Sequence, residues 1–579
     1  MTVSPPLPSV GAAPRPRRRR RGNLRRLAPI VLLAAGALAG GLIAGGRHEP
    51  SDRRLANRFV TAWERGDYAE MYGMLTPAAR EEIPLRRFAR AYRRAATTAT
   101  LAGLEAARAG EARDGTVTVP VAARTRVFGN LDGAVVLPVA EGADGEPAVA
   151  WEPHLVFPGL RTGEKLGRTT RMPPRATIEA RDGTPIAKGE ERLSDLDPLA
   201  SEIAGRVGPA PPERAAELAE RGVPQGSAVG ISGLEREFDA RLAGTPGGEL
   251  QAGRRVIASR SPEPGRSVRT TIDPDIQRAA VEALAGRFGG VAAVRPRNGE
   301  VLALAGVAFS APQPPGSVFK MITLAAALEA GTVKRNEEFP VQTAATLEGV
   351  ELQNAHGESC GGSLTQSFAH SCNSVFAPMG AELGAEKLVA AAERFGFNEE
   401  PVLAGAARST IPPAREIGDD LAVGSTAIGQ GKVLTTPLEM ALVAAAIAED
   451  GRRTTPTLLR GGETSSTQAT PAGVARYVAR AMRAVVTDGT GVGAAIEGVR
   501  VAGKTGTAEL RSTVSEDPLP PEAGEPIPEE DLTDTDAWFA AFAPARNPTI
   551  AVAVLFVAQG AGGETAAPAA KLVLEEALD

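Results

Sequence analysis

Apolar residues recur with a helical period early in the chain and with a strand pattern after it. Between residues 51 and 95 they return every three or four positions, which predicts consecutive amphipathic helices. The apolar positions are Leu55, Phe59, Val60 and Trp63, then Tyr68, Met71 and Leu75, then the stretch 85–95. Runs at 116–123, 134–139 and 148–157 predict strands. Helices followed by strands indicate a small α+β unit and not a βαβ one.

The second half of the chain carries strand patterns at both ends and helical patterns between them. Asp273 and Pro274 predict the cap and first residue of a helix that ends at 284. Asn298-Gly299 predicts a hairpin. Thr436-Pro437-Leu438-Glu439 predicts a capping box that opens a helix to 448. The predicted strands are 269–272, 291–294, 300–305, 537–543 and 549–557, and 568–578 is a final helix. This order predicts an antiparallel sheet whose first and last strands meet.

Length and charge limit the number of domains and the kinds of partner that the chain can have. With 579 residues the chain is too long for one core, so several domains are expected. The formal net charge is −5, but the first 26 residues hold eight arginines and no acid, which leaves about −13 on the rest. An acidic body argues against a nucleic-acid partner.

The stretch 27–46 has no charged residue and as a helix spans about 30 Å. Arginines before an apolar run keep that end in the cytoplasm. The sequence therefore predicts a cytoplasmic tail at 1–26 and a single transmembrane anchor at 27–46, with the body on the extracytoplasmic side. A cleaved signal peptide, with Ala37-Leu38-Ala39 as the cleavage site, is the alternative, and it exports the body too.

Ser317-Val318-Phe319-Lys320 is the first candidate for chemistry. Two prolines and Gly316 precede it, and helix formers follow until Gly331. Three residues make nearly one helical turn, so the Lys320 amine lies on the same face as the Ser317 hydroxyl. A lysine with a lowered pKa can serve as the base that activates a serine. Alone, the pattern also fits an exposed serine and a solvated lysine.

Two further motifs favour the chemical interpretation. Ser371-Cys372-Asn373 lies between two helical patterns, and Lys504-Thr505-Gly506-Thr507 follows a β-like run at 499–502. In this order the three motifs resemble those of the penicillin-recognising serine transferases, S-x-x-K, S-x-N and K-T-G.

Other segments resemble class B penicillin-binding proteins. The stretch 151–160 looks like the closing strand of the nuclear-transport-factor-like domain of their low-affinity, methicillin-resistance-type members. Residues 175–183 resemble the hairpin that begins the family's pedestal, although Ala176 and Ala180 replace its Gly and Asp. The stretch 230–235, with 244–247, is similar to the family's S-G-L-E passage.

The resemblance implies an α+β multidomain protein with the penicillin-binding transpeptidase fold, an antiparallel sheet flanked by helices. It places a nuclear-transport-factor-like domain at 51–160, a pedestal of the dimerisation type at 161–264 and a transpeptidase domain at 265–579. No domain of the size of a glycosyltransferase precedes the pedestal, so a monofunctional enzyme is expected.

The resemblance also implies the roles in the site. Ser317 attacks the D-Ala-D-Ala end of a peptidoglycan stem peptide, Lys320 is the base, and Ser371 and Asn373 relay a proton and hold the substrate. Lys504, Thr505, Gly506 and Thr507 would bind the substrate carboxylate, with the N–H groups of Ser317 and Thr507 as the oxyanion hole. The implied partners are stem peptides, β-lactams and other cell-wall synthesis proteins, and the domain type hints at low β-lactam affinity. We expect no cofactor and no metal.

Cys360 and Cys372 are the only cysteines, and two ligands cannot make a structural zinc site. In an exported domain they either form a disulfide, which would tie down the Ser371 loop, or are two small buried residues. Of the four histidines, only His370 lies near a motif, and we interpret it as a helix-end residue and not a base.

A segment at 516–536 holds nine acidic residues beside the K-T-G motif. A solvated loop is the simple interpretation, and gating of the active site is the alternative hypothesis.

Three functions fit the motifs. The first is a membrane-anchored D,D-transpeptidase. The second is a β-lactamase or D,D-carboxypeptidase, but the E-x-x-L-N string of the β-lactamases does not occur between Asn373 and Lys504. The third is a β-lactam sensor or an inactive scaffold. A sensor is expected to carry several spans, and a scaffold is expected to have lost Ser317, Lys320 or Lys504.

Overall fold

The computed structural model describes residues 49–143, 145–194, 203–403, 405–509 and 535–579. The predicted tail and anchor at 1–46, and most of the acidic segment at 516–536, lie outside these residues. Among the residues described, no helix combines the length and apolar character needed to cross a bilayer. The chain divides into two compact units, one comprising Gly103–Ala123, Asp132–Gly163 and the residues up to Arg93, the other comprising the remainder.

The first unit follows the predicted order, helices and then strands. Its helices are α1 (Ser51–Glu64), α2 (Tyr68–Gly73), α3 (Pro77–Glu82) and the larger part of α4 (Leu85–Ala99). The strands that follow are β1 (Leu101–Ala106), β2 (Ala112–Arg113), β3 (Thr116–Thr125), β4 (Gly129–Glu141) and β5 (Pro147–Val149). They form one sheet in the order β1-β3-β4-β5, with β2 paired to β3. The α+β prediction is confirmed.

Aromatic side chains hold this unit together. Trp63 and Tyr92 meet edge to face at 5.1 Å between ring centres, and Phe88 meets Trp151 at 5.3 Å. The Trp151 indole N–H donates to the Tyr92 hydroxyl over 3.1 Å. The predicted strand at 148–157, however, is wrong beyond Val149. Pro153 lacks the N–H that a strand needs, and Pro153–Val156 forms a 3₁₀ helix instead.

The region after the first unit contains short strands around buried ion pairs. Its strands are β6 (Leu166–Arg171), β7 (Ile178–Glu179), β8 (Pro185–Ala187), β9 (Val207–Pro209), β10 (Ala228–Gly230), β11 (Gly247–Ala252) and β12 (Arg255–Arg260). Its helices are a 3₁₀ turn (Pro212–Arg214), α5 (Ala215–Glu220), α6 (Gly233–Glu237) and α7 (Asp239–Leu242). Strands β7 and β8 pair antiparallel, which confirms the hairpin predicted at 175–183.

A cluster of charges fixes this region. Arg175 donates to Glu235 over 2.6 Å and to Asp239 over 2.8 Å, and both carboxylates are almost fully buried. Arg192 also pairs with Glu235, and Arg214 with Asp239. The S-G-L-E passage therefore supplies the acid that holds Arg175, through a helix 60 residues farther along.

The large sheet is antiparallel and has the order β15-β14-β24-β23-β22. Its strands are β14 (Gly289–Val294), β15 (Val301–Gly306), β22 (Ala502–Glu509), β23 (Thr535–Ala543) and β24 (Ile550–Phe556). Strand β14 pairs with β24, so the prediction that the first and last strands meet is confirmed. The strand predicted at 269–272 as the first of this sheet is wrong. Strand β13 (Val268–Arg269) is two residues long and pairs with β7 in another sheet, and Thr271 N–H donates to the Leu458 carbonyl.

Helices cover both faces of the sheet. They are α8 (Pro274–Leu284), α9 (Lys320–Ala330), α10 (Leu364–Ala369), α11 (Asn373–Leu383), α12 (Ala385–Arg394), α13 (Ala414–Ile417), α14 (Asp420–Ala427), α15 (Pro437–Ala448), α16 (Ala472–Asp488) and α17 (Ala567–Glu576). Shorter turns are Gly316–Phe319, Ala355–Gly357, Val492–Ala494 and the π-helix Gly562–Ala566. Small strands complete the domain, β16 (Glu338–Gln342), β17 (Ala344–Leu347), β18 (Val350–Gln353), β19 (Cys360–Ser363), β20 (Arg452–Thr454) and β21 (Ser466–Gln468).

Two predicted caps have different outcomes. Asp273 caps α8 as expected, since its carboxylate accepts the Asp275 N–H. At α15, Thr436 accepts the Glu439 N–H, but the return bond of a capping box is replaced, because Thr436 N–H donates to Ser409. The Glu439 carboxylate lies 3.8 Å from Arg453 instead. Burial raises the pKa of Glu439 to about 7.

Candidate active site

Ser317 lies on a 3₁₀ turn, Gly316–Phe319, that runs directly into α9 at Lys320. In a 3₁₀ turn residues i and i+3 are eclipsed, so Ser317 and Lys320 still share a face. Gly331 ends α9 in the left-handed conformation, as the sequence predicts.

The Lys320 amine is the centre of the site. It is fully buried and donates to Asn373 Oδ1 over 2.7 Å, to the Ser371 carbonyl over 2.7 Å and to Ser371 Oγ at 3.3 Å. Burial, and then the nearby Lys504 charge, lower the pKa of Lys320 well below its usual value. A lowered pKa makes the neutral form of the amine more accessible, and that form can accept a proton.

Lys504 approaches the same hydroxyl from β22, the edge strand of the large sheet. Its Nζ donates to Ser371 Oγ over 2.8 Å and to the Thr505 carbonyl over 3.0 Å. Burial lowers the pKa of Lys504 to about 7. Ser371 Oγ therefore lies between two buried amines, which is an arrangement suited to passing a proton.

Ser371 reaches this position through an unusual backbone. Its φ is 60°, in the left-handed region, which non-glycine residues adopt at a cost of about 1 kcal/mol or more. It lies between α10 and α11, where Cys372 is bonded to Cys360 at the start of β19. Of the two alternatives for the cysteines, the structure has the disulfide, and it connects the Ser371 loop to β19.

The K-T-G segment packs closely against the Ser317 turn, and two glycines allow the backbones to approach each other. A Cβ on Gly316, whose φ is 52°, would lie 2.6 Å from the Thr507 carbonyl oxygen. A Cβ on Gly506 would lie 2.8 Å from the Pro315 carbonyl oxygen. Neither position tolerates a side chain, so both glycines are needed for the approach of β22 to the turn.

Not every predicted residue faces the site in the same way. The Thr505 hydroxyl lies 2.5 Å from the Thr490 hydroxyl and is buried, while Thr507 is half-buried. His370 is exposed at the end of α10, as the helix-end interpretation expects.

Several supporting residues carried no sequence signal. Asn354 accepts the Ser374 N–H, and Asn373 Nδ2 donates to the Gln353 carbonyl, so the turn after β18 positions the start of α11. The Trp538 indole donates to the Pro314 carbonyl over 2.8 Å. These contacts join segments 20 to 224 residues apart, and no local pattern encodes them.

Comparison with known proteins decides the family. The model of the penicillin-binding protein transpeptidase domain matches residues 289–575, that of the NTF2-like N-terminal transpeptidase domain 51–164, and that of the penicillin-binding protein dimerisation domain 175–270. The peptidoglycan D,D-transpeptidase PbpA of Mycolicibacterium smegmatis is 34% identical over 412 residues, which cover 60% of this chain and 79% of that protein. The chain belongs to the penicillin-binding protein family.

Solved structures of penicillin-binding proteins agree. The crystal structure of PBPA from Mycobacterium tuberculosis is 28% identical, with a TM-score of 0.54, and covers 70% of this chain and 99% of that one. The structure of its penicillin G acyl-enzyme complex is 28% identical in sequence, with a TM-score of 0.55, and covers 70% of this chain and all of that one. The D,D-transpeptidase domain from Eggerthella lenta is 29% identical, with a TM-score of 0.55, over 70% of this chain and 98% of that one. The transpeptidase fold expected from the sequence is confirmed.

Proposed function

We propose that this penicillin-binding protein is a peptidoglycan D,D-transpeptidase that cross-links stem peptides through an acyl-Ser317 intermediate and is a target of β-lactams. The observation that carries the proposal is the meeting of Lys320 and Lys504 on one hydroxyl, that of Ser371. The transpeptidase names of the relatives and the acyl-enzyme structures of M. tuberculosis PBPA support it.

In the first half-reaction, neutral Lys320 takes the proton of Ser317 as Ser317 Oγ bonds to the penultimate D-Ala carbonyl carbon. The C–N bond to the terminal D-Ala then breaks, and its nitrogen takes a proton through Ser371 Oγ, which Lys504 and Lys320 flank. The Asn373 amide would hold the substrate's peptide group. The N–H groups of Ser317 and Thr507 would stabilise the oxyanion, where loss of one donor typically costs about 10²- to 10³-fold in rate.

In the second half-reaction, an amine of a neighbouring stem peptide bonds to the acyl carbon and loses its proton to the same relay. The ester bond to Ser317 Oγ breaks, and Lys320 returns a proton to that oxygen. Charged Lys504, with Thr505 and Thr507, would bind the substrate carboxylate. The hydrolase alternatives need an activated water at this step. The E-x-x-L-N glutamate of the β-lactamases, which would activate it, does not occur between Asn373 and Lys504.

We also propose the predicted organisation for the whole chain. The tail at 1–26 and the anchor at 27–46 would hold the body outside the membrane, where cell-wall partners are available. The matched ranges 51–164, 175–270 and 289–575 support domains at 51–160, 161–264 and 265–579. Low β-lactam affinity, and hence a part in antibiotic resistance, is a further proposal drawn from the type of amino-terminal domain.

Labelling with a fluorescent penicillin tests the reaction. Wild type should retain the label for many minutes, and Ser317→Ala should take up none. Rapid loss of label from wild type would indicate a hydrolase. No label at any penicillin concentration would indicate a non-catalytic scaffold. A second assay, with a stem-peptide donor and an amine acceptor, should yield the cross-linked product from wild type only.

A further inference from the structure

Helix α4 of the first unit carries an unneutralised basic face. Its buried side contributes Phe88 and Tyr92 to the aromatic core. The exposed side presents five arginines, Arg86, Arg87, Arg90, Arg93 and Arg94. Across the described ranges, none of the five forms an ion pair with a carboxylate of the chain, unlike Arg58 and Arg65 on and just after α1, which both pair with Glu70. Because the apolar side of α4 is buried in the core, the five arginines all lie on its exposed surface.

Three of these arginines line a groove. Arg86, Arg90 and Arg93 form one wall, and the turn from Gly66 to Ala69 forms the other, around a volume of about 540 Å³. The half-buried Tyr68 ring faces this space, and the Arg93 guanidinium lies 5.5 Å from its centre. We call this feature the basic groove. Its volume falls within the range of about 300 to 1,000 Å³ typical of small-ligand sites.

The carboxylates near the basic groove are already engaged or lie outside its lining. Asp67 lines the groove, but its side chain accepts the Glu70 N–H and caps α2. Glu70 forms ion pairs with Arg58 and Arg65. Glu81 and Glu82 are exposed on α3 and do not line the groove. An anion in the groove would therefore meet three guanidinium groups that form no ion pair among the described residues, beside the one carboxylate of Asp67.

We propose that the basic groove binds a flexible anionic polymer carrying phosphodiester groups. Guanidinium forks match phosphate oxygens in a bidentate manner, and the spacing of Arg86, Arg90 and Arg93 along one helix face presents successive forks to a chain. The apolar side chain of Leu85, 40% exposed, and the Tyr68 ring suit the carbon linkers between phosphates.

The shape and position of the groove favour a polymer over a lipid surface. A bilayer is flat and contacts convex faces, whereas these arginines line a concave groove. The groove also lies at the carboxyl end of α1, about 20 Å along the helix axis from Ser51, where the chain would leave the proposed anchor.

Fluorescence anisotropy of the full chain in nonionic detergent, with dye-labelled poly(glycerol phosphate) as the probe, tests the proposal. The tail arginines also bind polyanions, so all eight are replaced by glutamine in every protein compared. The test variant is Arg86→Glu with Arg90→Glu and Arg93→Glu. The matched control reverses three other exposed arginines, by Arg108→Glu, Arg113→Glu and Arg124→Glu.

We expect the groove variant to lose at least tenfold in affinity and the control to stay within about threefold. For the protein that keeps all three groove arginines, affinity for the polymer should fall roughly 20-fold between 50 and 200 mM salt, as expected for about three neutralised phosphates. Unchanged penicillin labelling and circular dichroism would show that both variants are folded.

Two results would overturn the proposal. Equal losses in the groove and control variants would mean that net charge alone attracts the polymer. Groove-dependent binding to phosphatidylglycerol vesicles, without groove-dependent binding to the polymer, would assign the surface to the membrane. Success or failure here is independent of acyl transfer, because no step uses Ser317.

Discussion

The charge cluster of the predicted pedestal and the cleft of the candidate active site both bury ionisable groups, but they do so in opposite ways. In the pedestal, Arg175 meets Glu235 and Asp239 at 2.6 and 2.8 Å. In the cleft, Lys320 and Lys504 are fully buried and meet only neutral oxygens among the described residues. Charges that are paired stay charged, whereas burial without a carboxylate partner favours the neutral form of an amine.

The pKa shifts follow from this difference. Burial acts to raise the pKa of Asp239, but hydrogen bonds from the Gly230 N–H, Arg214 and Arg175 outweigh it and hold that pKa below its usual value. Burial lowers the pKa of both lysines, and nothing compensates. The first region gains a rigid structure from its charges, and the second gains reactivity.

The largest expected effect is on the rate. Lys320→Met should lower penicillin acylation by about 10²- to 10⁴-fold, the usual contribution of a general base. We expect only a small loss of thermal stability, because removing a buried amine that has no carboxylate partner offsets the loss of its hydrogen bonds to Ser371 and Asn373. Stopped-flow acylation and a melting curve measure the two quantities. Lys387→Met, at an exposed position on α12, is the control and should change neither. A large fall in melting temperature for Lys320→Met would mean that this lysine is structural.

The pedestal should show the reverse. Glu235→Gln leaves Arg175 and Arg192 without their shared carboxylate, so we expect a loss of about 3 to 5 kcal/mol in unfolding free energy. The acylation rate per folded molecule should not change. Urea denaturation gives the free energy. Arg278→Gln, which breaks an exposed pair with Asp275, should have little measurable effect, and comparable losses in both variants would contradict the comparison.

A covalent link holds the loop between the two lysines. Replacing both Cys360 and Cys372 by alanine should cost about 3 kcal/mol of stability, the typical value for a loop of this length. It should also slow acylation, because Ser371 is then free to leave its left-handed conformation. If labelling rates match those of wild type, the disulfide does not position Ser371.

The smallest expected effect concerns pH. Because Lys504 loses its proton above about pH 7, kcat/KM for a carboxylate-bearing penicillin should fall by up to about tenfold per pH unit above that value. Lys504→Arg should react more slowly but with a flat profile between pH 7 and 9, because a guanidinium keeps its charge. A wild-type profile that stays flat across this range would argue against a charged Lys504 in substrate binding.

The sequence predicted the parts that depend on local periodicity. The order of helices and strands, the caps at Asp273 and Gly331 and the hairpin after β7 all follow from short patterns. The strand at 148–157 was wrong because a proline stops it at a position where the hydrophobic pattern continues. The capping box at Glu439 is incomplete because Thr436 N–H donates to Ser409, 27 residues earlier in the chain. The contact between Lys504 and Ser371 joins residues 133 apart, and only the family resemblance anticipated it.

The bond from the Trp538 indole to the Pro314 carbonyl has a practical use. Trp538 thus contacts the segment that leads into Ser317, whereas Trp63 and Trp151, the other tryptophans, belong to the first unit. Its emission should change when an acyl group occupies the cleft three residues beyond Pro314. The acylation rates of unlabelled antibiotics could then be compared by tryptophan fluorescence, with the Trp538→Phe variant as the control that lacks this signal.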